Sequence, residues 1–343
     1  MSRFTRYATT SQTLSLTAME EASRRGMREA DLQDLFLALV LSDQMAGQVL
    51  RDLGMSIQGV RAALHDHQQE QIASLGIAVS LPAPENIVFH ETGGYAWSKR
   101  ASDLIARAGK RGRTADAGAV LRELLNEPSG LVADLLKRLG TTPAEVLTRL
   151  DVASAGASTG ASAAASTGMD AAPAKKGEVS AGIESFIPAP AQSVRAFLSD
   201  PARVPEWEPM IGAVEASGAT ALPVTTPLAE PDAQGGGIWL AHASMVRADG
   251  KRLNVKPRFR QRTIEFLPHG MQSGWRFAYP DAPASPPITV TFSLTPATGG
   301  THLRTTMTWT SRGGIRVLLR PLQRFLIWIR LTQVTAAISR AFR

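Results

Sequence analysis

Ile187-Pro188-Ala189-Pro190-Ala191-Gln192-Ser193-Val194-Arg195-Ala196-Phe197-Leu198-Ser199-Asp200-Pro201-Ala202-Arg203-Val204-Pro205-Glu206-Trp207 decides how the second half of this 343-residue chain is read. Pro188 and Pro190 close the segment before them, because proline fixes φ and offers no N–H to a ladder. Val194, Phe197 and Leu198 then fall at helical spacing, so a short amphipathic helix is expected over about 191–199. Pro201 and Pro205 mark a second turn. Upstream, Val179, Ala181, Ile183, Ser185 and Ile187 occupy every second position, which reads as a strand over 178–187. Downstream, strands are expected at about 211–217, 237–247, 253–267, 271–280, 287–295 and 301–311. Asp249-Gly250, Pro268-His269-Gly270 and Gly299-Gly300 supply turns between them. The last stretch carries apolar residues at 315, 318, 319, 322, 325, 326 and 329, the spacing of a long final helix that Pro321 kinks or delays. A strand, short helices, a run of antiparallel strands and a closing helix make an α+β pattern.

Ile187-Pro188-Ala189-Pro190, Val194, Phe197, Asp200-Pro201, Pro205-Glu206-Trp207, Glu265-Phe266-Leu267-Pro268 and Gly299-Gly300-Thr301-His302-Leu303 resemble the START-like (SRPBCC, polyketide cyclase/dehydrase, Bet v 1-like) superfamily over about residues 178–342. The resemblance implies a helix-grip fold, whose curved sheet holds the final helix over an apolar cavity. It implies a hydrophobic small molecule as partner. The residues that would line the cavity are Trp239, Met245, Phe266, Trp275, Phe277, Phe292, Trp309, Phe325 and Trp328. Periodicity adds that Trp275, Phe277 and Tyr279 share one strand face, as do Met307 and Trp309. Aromatics of this kind serve equally as plain core.

Residues 153–177 are almost entirely Ala, Ser, Thr and Gly, too poor in buriable side chains to offset the entropy of ordering, and read as a flexible linker. They separate a helix-periodic region, residues 1–152, from the α+β region, residues 178–343. The expected architecture is thus multi-domain, an all-α duplicated four-helix repeat followed by an α+β helix-grip domain. Residues 1–152 hold 17 Lys and Arg against 18 Asp and Glu, whereas residues 153–343 hold 20 against 12. The whole excess of positive charge therefore lies in the second half, where an anionic partner is one reading and a merely basic domain the other.

Leu50-Arg51-Asp52-Leu53-Gly54 returns 86 residues later as Leu136-Lys137-Arg138-Leu139-Gly140. Asp31 and Asp116 suit helix N-caps, Gly54 and Gly140 suit C′ positions, and Thr142-Pro143-Ala144-Glu145 reads as a capping box, with Ser56 its counterpart. Helices are expected at about 10–25, 31–42, 45–53, 57–70, 97–111, 116–126, 129–139 and 143–150. Tyr7, Ala18, Glu21-Ala22, Gly26, the 35–40 helix, Val49 to Gly54 and Trp97-Ser98-Lys99-Arg100-Ala101 resemble the duplicated N-terminal (Clp R) domain of the Clp ATPases, over about residues 4–150. The resemblance implies a docking module for peptides, adaptors or a Clp protease component, with Phe4, Tyr7 and Trp97 as its aromatic contacts. The same aromatics could instead plug the gap between repeats. Gln33 and Gly118 stand where phosphoarginine-binding members place Glu, so that activity is not implied. No Gly-x-x-x-x-Gly-Lys-Ser/Thr motif occurs, so this chain carries no ATPase loop of that type.

Several chemistries are excluded by composition. Without cysteine there is no disulfide, thiolate metal site or cysteine nucleophile. No catalytic pair, metal motif or cofactor fingerprint stands out; the one weak catalytic candidate is His242, if it points inward. His269 and His302 are expected in solvent. Lys256, Arg258, Arg260 and Arg262 alternate and are expected on one strand face. Arg316, Arg320, Arg324 and Arg330 punctuate the final helix, which could lie on an anionic membrane or present a solvated face. No groove-entering module supports nucleic acid as a partner. With no apolar leader and no spanning segment, a cytoplasmic protein is expected. Function is expected to be non-enzymatic binding or regulation, with a polyketide cyclase/dehydratase-like enzyme as the alternative.

Overall fold

The computed structural model describes residues 3–77, 94–110, 116–159, 178–215, 237–246, 251–269, 272–310 and 320–343. The chain divides into two compact units, residues 1–167 and 168–343. Each is built on its own core.

The first unit is helical: α1 (Arg3–Arg24), α2 (Leu32–Val40), α3 (Met45–Asp52), α4 (Ile57–Ser74), α5 (Lys99–Lys110), α6 (Ala117–Leu125), α7 (Leu131–Arg138) and α8 (Pro143–Thr159). Two short strands, β1 (Glu29–Ala30) and β2 (Ala96–Trp97), pair in parallel ahead of α2 and α5. Gly54 and Gly140 take φ of 85° and 80°, the left-handed conformation that ends a helix cheaply only for glycine. Asp116 caps α6 by accepting from the Ala119 N–H at 2.9 Å, and Ser56 caps α4 by accepting from Gly59. Asp31 is the N-cap residue of α2, as expected. Its carboxylate turns to Ser98 and Arg100, while the Asp34 carboxylate accepts from the Asp31 N–H at 2.8 Å. α8 runs to Thr159, so the Ala-rich start of the expected linker continues a helix already nucleated at Pro143.

Two buried ion pairs and one cap tie this unit together. The Arg25 guanidinium grips both oxygens of buried Asp34, and Arg61 grips Glu21. Arg51, within the repeated Leu-x-x-Leu-Gly phrase, donates Nη1 to the carbonyls of Val40 and Ser42, both at 2.7 Å, and so satisfies the open C-terminal end of α2. Burial pushes the Arg51 pKa down to about 10, with Asp43 and Asp52 opposing.

The second unit is an α+β domain of helix-grip type. β3 (Glu178–Ile187) leads into α9 (Ala191–Ser199), a 3₁₀ turn and α10 (Val204–Trp207). There follow β4 (Ile211–Val214), β5 (Ile238–Ala243), β6 (Gln261–His269), β7 (Gln272–Ala278), β8 (Ile288–Ala297), β9 (Gly300–Thr310) and α11 (Arg320–Ala341). The seven long strands form one antiparallel sheet in the order β3-β9-β8-β7-β6-β5-β4. α11 packs on β3 and β9 and against α10.

The opening stretch does what its spacing demands. Val194, Phe197, Leu198, Val204 and Trp207 are all buried. Trp207 sits edge-on between Phe277 and Phe292, with ring centroids 6.4 and 5.2 Å away. Trp275 anchors α9 by donating its indole N–H to the Leu198 carbonyl at 2.8 Å.

Two expectations need correction. The strand placed at 253–267 begins only at Gln261, because Pro257 opens a 3₁₀ turn, Pro257–Phe259. Lys256, Arg258 and Arg260 therefore lie outside the strand, and Arg262 alone is in it. β6 also runs through Pro268 and His269, which pair with Ser273 and Gln272; the turn itself falls outside the described residues, as does that at Asp249-Gly250. On α11 the described core stripe is Leu331, Val334 and Ile338; of the residues singled out from sequence, 315, 318 and 319 and the side chains of 322, 325 and 326 lie outside the described residues.

Candidate functional site

A cavity of about 330 Å³ opens between α11 and the sheet. β9 contributes Met307 and Trp309, which share a face because side chains alternate along a strand. Ile288, the cross-strand neighbour of Trp309, extends that wall from β8. The turn before β6 supplies Phe259, and the chain just past β7 supplies Tyr279; the two rings meet edge to face at 5.3 Å. Ser285 and Pro286, on the connection into β8, close one side, and α11 closes the other with Ile327 and Arg330. The walls are mainly apolar and aromatic, with Tyr279, Ser285 and Arg330 as polar points. The volume lies at the small end of ligand pockets, which run to about 300–1,000 Å³.

The polar end of the cavity is held from behind. Arg330 donates Nη2 to Glu208 Oε2 at 2.9 Å, and Glu208, wholly buried, accepts from the Met210 N–H at 3.1 Å through Oε1. Arg262 lies on the inner face of β6 with Ile264, beside Tyr279, its guanidinium carbon 5.5 Å from that ring's centroid. Arg262 is buried, and burial pushes its pKa down; Tyr279 opposes that push, Arg330 reinforces it and Glu208 opposes it.

Of the residues expected to line the cavity, Trp309 does so. Trp275, Phe277 and Phe292 are wholly buried instead, the last two packed edge-on against Trp207. Phe266 and Trp239 are half-buried against Trp275, with centroids 5.0 and 5.7 Å away. Met245 is exposed beyond the end of β5. Trp328 is half-buried on α11 next to Ile327, and the Phe325 side chain lies outside the described residues. His242 does not point inward. Ala241 and Ala243 take the buried face of β5, so His242 falls on the other, where its Nε2 meets Glu215 Oε1 at 2.8 Å with both side chains about half exposed. His302 is half-buried with its ring edge-on to Phe186, not in open solvent, and the His269 side chain lies outside the described residues. Among the described residues no three His, Asp or Glu converge as a metal site requires.

In the helical unit, Trp97 is half-buried and packs on that unit's core, while the side chains of Phe4 and Tyr7 lie outside the described residues. Among the described residues no helix is long and apolar enough to cross a membrane.

Sequence reasoning missed Tyr279, Ser285, Met307, Ile327 and Arg330 as cavity wall, and Glu208 and Arg262 as buried charges beside it. The period-2 rule already put Tyr279 on the face of Phe277 and Met307 on that of Trp309. For Glu208 no signal in the sequence distinguishes it from the neighbouring surface acid Glu206.

Residues 178–336 match a family model described as polyketide cyclase/dehydrase and lipid transport. Solved structures similar to parts of the chain include a START superfamily protein from Mycobacterium smegmatis, at 14% identity, covering 48% of this chain and 96% of that one, with a TM-score of 0.31. TTHA0849 from Thermus thermophilus is 17% identical over 47% of this chain and 94% of its own, with a TM-score of 0.31. The N-terminal domain of the caseinolytic protease associated chaperone ClpD from Arabidopsis thaliana is 16% identical over 41% of this chain and 89% of its own, also at 0.31. No curated protein matches the chain.

Proposed function

We propose that this is a binding protein without chemistry of its own, which holds a small hydrophobic molecule in the C-terminal cavity and docks a peptide or Clp-type partner through its helical unit. The observation that carries the first half is the aromatic cavity under α11, walled by Trp309, Tyr279, Phe259, Met307 and Ile327. Apolar walls with a few fixed polar points are what a site needs to bury most of an apolar ligand while orienting it. The family description of residues 178–336, which includes lipid transport, agrees with that reading. A cyclase-like role has less to support it, since His242 sits on the outer face of the sheet, bonded to Glu215.

The second half rests on the order of the helices. α2 and α6 each begin after an aspartate, α3 and α7 each end at a left-handed glycine, and a short strand precedes each group. That order, with the repeated Leu-x-x-Leu-Gly phrase, supports a duplicated module of Clp N-terminal type.

The test is direct. Full-length protein purified without detergent is extracted with organic solvent, and the extract is compared by mass spectrometry with that of a Trp309→Ala, Met307→Ala double variant. A discrete apolar compound present in the first and depleted in the second is expected. In parallel, a purified Clp ATPase is titrated against the full chain by sedimentation velocity. No retained compound and no complex would remove both halves of the proposal.

A further inference from the structure

Exposed apolar side chains and cations gather at one corner of the sheet unit. Of the four large apolar residues that the described part of this unit leaves exposed, Ile238 starts β5, whereas Met210, Met245 and Val246 lie together beyond its other end. The backbone brings them there. The Ser244 N–H donates to the Met210 carbonyl at 3.1 Å, the Leu253 N–H donates to the Met245 carbonyl at 2.8 Å, and Val246 bridges to Arg252. The chain returning from that bridge carries Arg252, Lys256, Arg258 and Arg260, all exposed. None of these four is in an ion pair among the described residues, and residues 238–246 and 251–263 contain no Asp or Glu. Asp249, the one acid between the two stretches, lies outside the described residues. The corner adjoins the cavity, because the wall residue Phe259 has the Arg258 guanidinium carbon 5.0 Å from its ring centroid and Tyr279 edge-on at 5.3 Å.

We propose that this corner docks on an anionic lipid bilayer, with Arg252, Lys256, Arg258 and Arg260 among the phosphates and Met210, Met245 and Val246 at the boundary of headgroups and acyl chains. The cations are drawn by the negative surface, and the apolar side chains leave water once they reach it. A polyanion without an apolar layer pairs the cations and leaves the three apolar side chains in water. A single-stranded nucleic acid also needs rings to stack on, and Phe259, the one aromatic residue of residues 251–260, is packed on Tyr279. The surface differs from the final helix, where Arg330 turns to Glu208 within the unit. Docking here does not depend on what the cavity holds. Where the cavity is loaded, docking sets Phe259, and with it one wall, beside the bilayer.

The experiment floats the full chain with vesicles of phosphatidylcholine, alone or mixed with phosphatidylserine. Binding to the mixed vesicles is expected, and little to phosphatidylcholine alone. The Arg252→Gln, Lys256→Gln, Arg258→Gln variant is expected to bind the mixed vesicles at least about tenfold more weakly, since each basic side chain at an anionic surface is worth roughly fivefold. Lys99→Gln, Lys137→Gln, Arg149→Gln removes the same charge from exposed positions of the helical unit and is expected to stay within about twofold of wild type. Val246→Trp is expected to be quenched by brominated phosphatidylcholine in the mixed vesicles, and Val152→Trp, exposed in the helical unit, is not. Equal binding to both kinds of vesicle, no binding to either, or an equal loss in the two triple variants would overturn the assignment. Binding of polyglutamate in place of the mixed vesicles would overturn it in favour of an acidic protein partner. If the corner triple variant fails to fold, the Val246→Trp signal decides, and its absence overturns the docking.

Discussion

Arg51 in the helical unit and Arg262 in the sheet unit are buried to nearly the same degree, 3% and 2% exposed. They are held in different ways. Arg51 donates from its guanidinium to two backbone carbonyls at the end of α2, and in the same unit Arg25 and Arg61 each clasp a buried carboxylate. In that unit buried charge closes gaps that helices leave at their ends. Arg262 has no such task, and stands behind a cavity wall with Nε and Nη1 unmatched among the described residues. One guanidinium is used up by the ends of a helix, and the other is sealed in with two of its donors unmatched.

The sharpest way to break this contrast is to remove the one carboxylate in the sheet unit's cluster. Glu208→Ala strands Arg330 beside Arg262, and is expected to cost about 3–5 kcal/mol, as removing one partner of a buried pair does. Urea unfolding followed by tryptophan fluorescence reads it, since the sheet unit holds five of the chain's six tryptophans. Next comes Arg51→Met, which orphans the Val40 and Ser42 carbonyls. A loss of about 2–3 kcal/mol in the helical unit is expected, followed by circular dichroism at the helical minimum. If Arg51→Met proved harmless, the structural half of the contrast would fail.

Arg262→Met should behave oppositely. Exchanging an unmatched buried charge for an apolar side chain of similar length is expected to leave stability within about 1 kcal/mol of wild type or to raise it. A thermal melt of the ligand-free protein checks the sign. The smallest effect belongs to His242→Ala, which removes an exposed pair with Glu215 and is expected to change stability by less than about 0.5 kcal/mol. The apolar compound retained by that variant should match that of the wild type; its loss would return His242 to the cavity and reopen the enzymatic alternative.

How much of this was legible in the sequence differs between the two units. Helix ends in the first were readable because their signals are local: Asp116, Ser56, Gly54 and Gly140 act within a turn of their own position. The opening stretch of the second unit was readable for the same reason, as prolines bracket α9 and the Val194, Phe197, Leu198 spacing selects its buried face. β6 was misjudged at its start because alternating Lys256, Arg258, Arg260 and Arg262 mimic a strand, while Pro257 forbids one there. The cavity was legible only in part. Alternation puts Trp275, Phe277 and Tyr279 on one face, and it says nothing about how deep each lies. Trp207 covers Phe277 and Phe292, which leaves Tyr279 near the edge to become wall.

The sequence by itself determined the order of helices and strands, the α+β character of the second half and the boundaries set by proline and glycine, because those depend on φ, on missing donors and on periodicity within a few residues. Only the tertiary structure decided which aromatic is core and which is wall, and that Glu208 pairs with Arg330 while Arg262 is left over. Those outcomes depend on groups 122 residues apart, as Glu208 and Arg330 are, meeting at one place, and no local rule carries information over that distance.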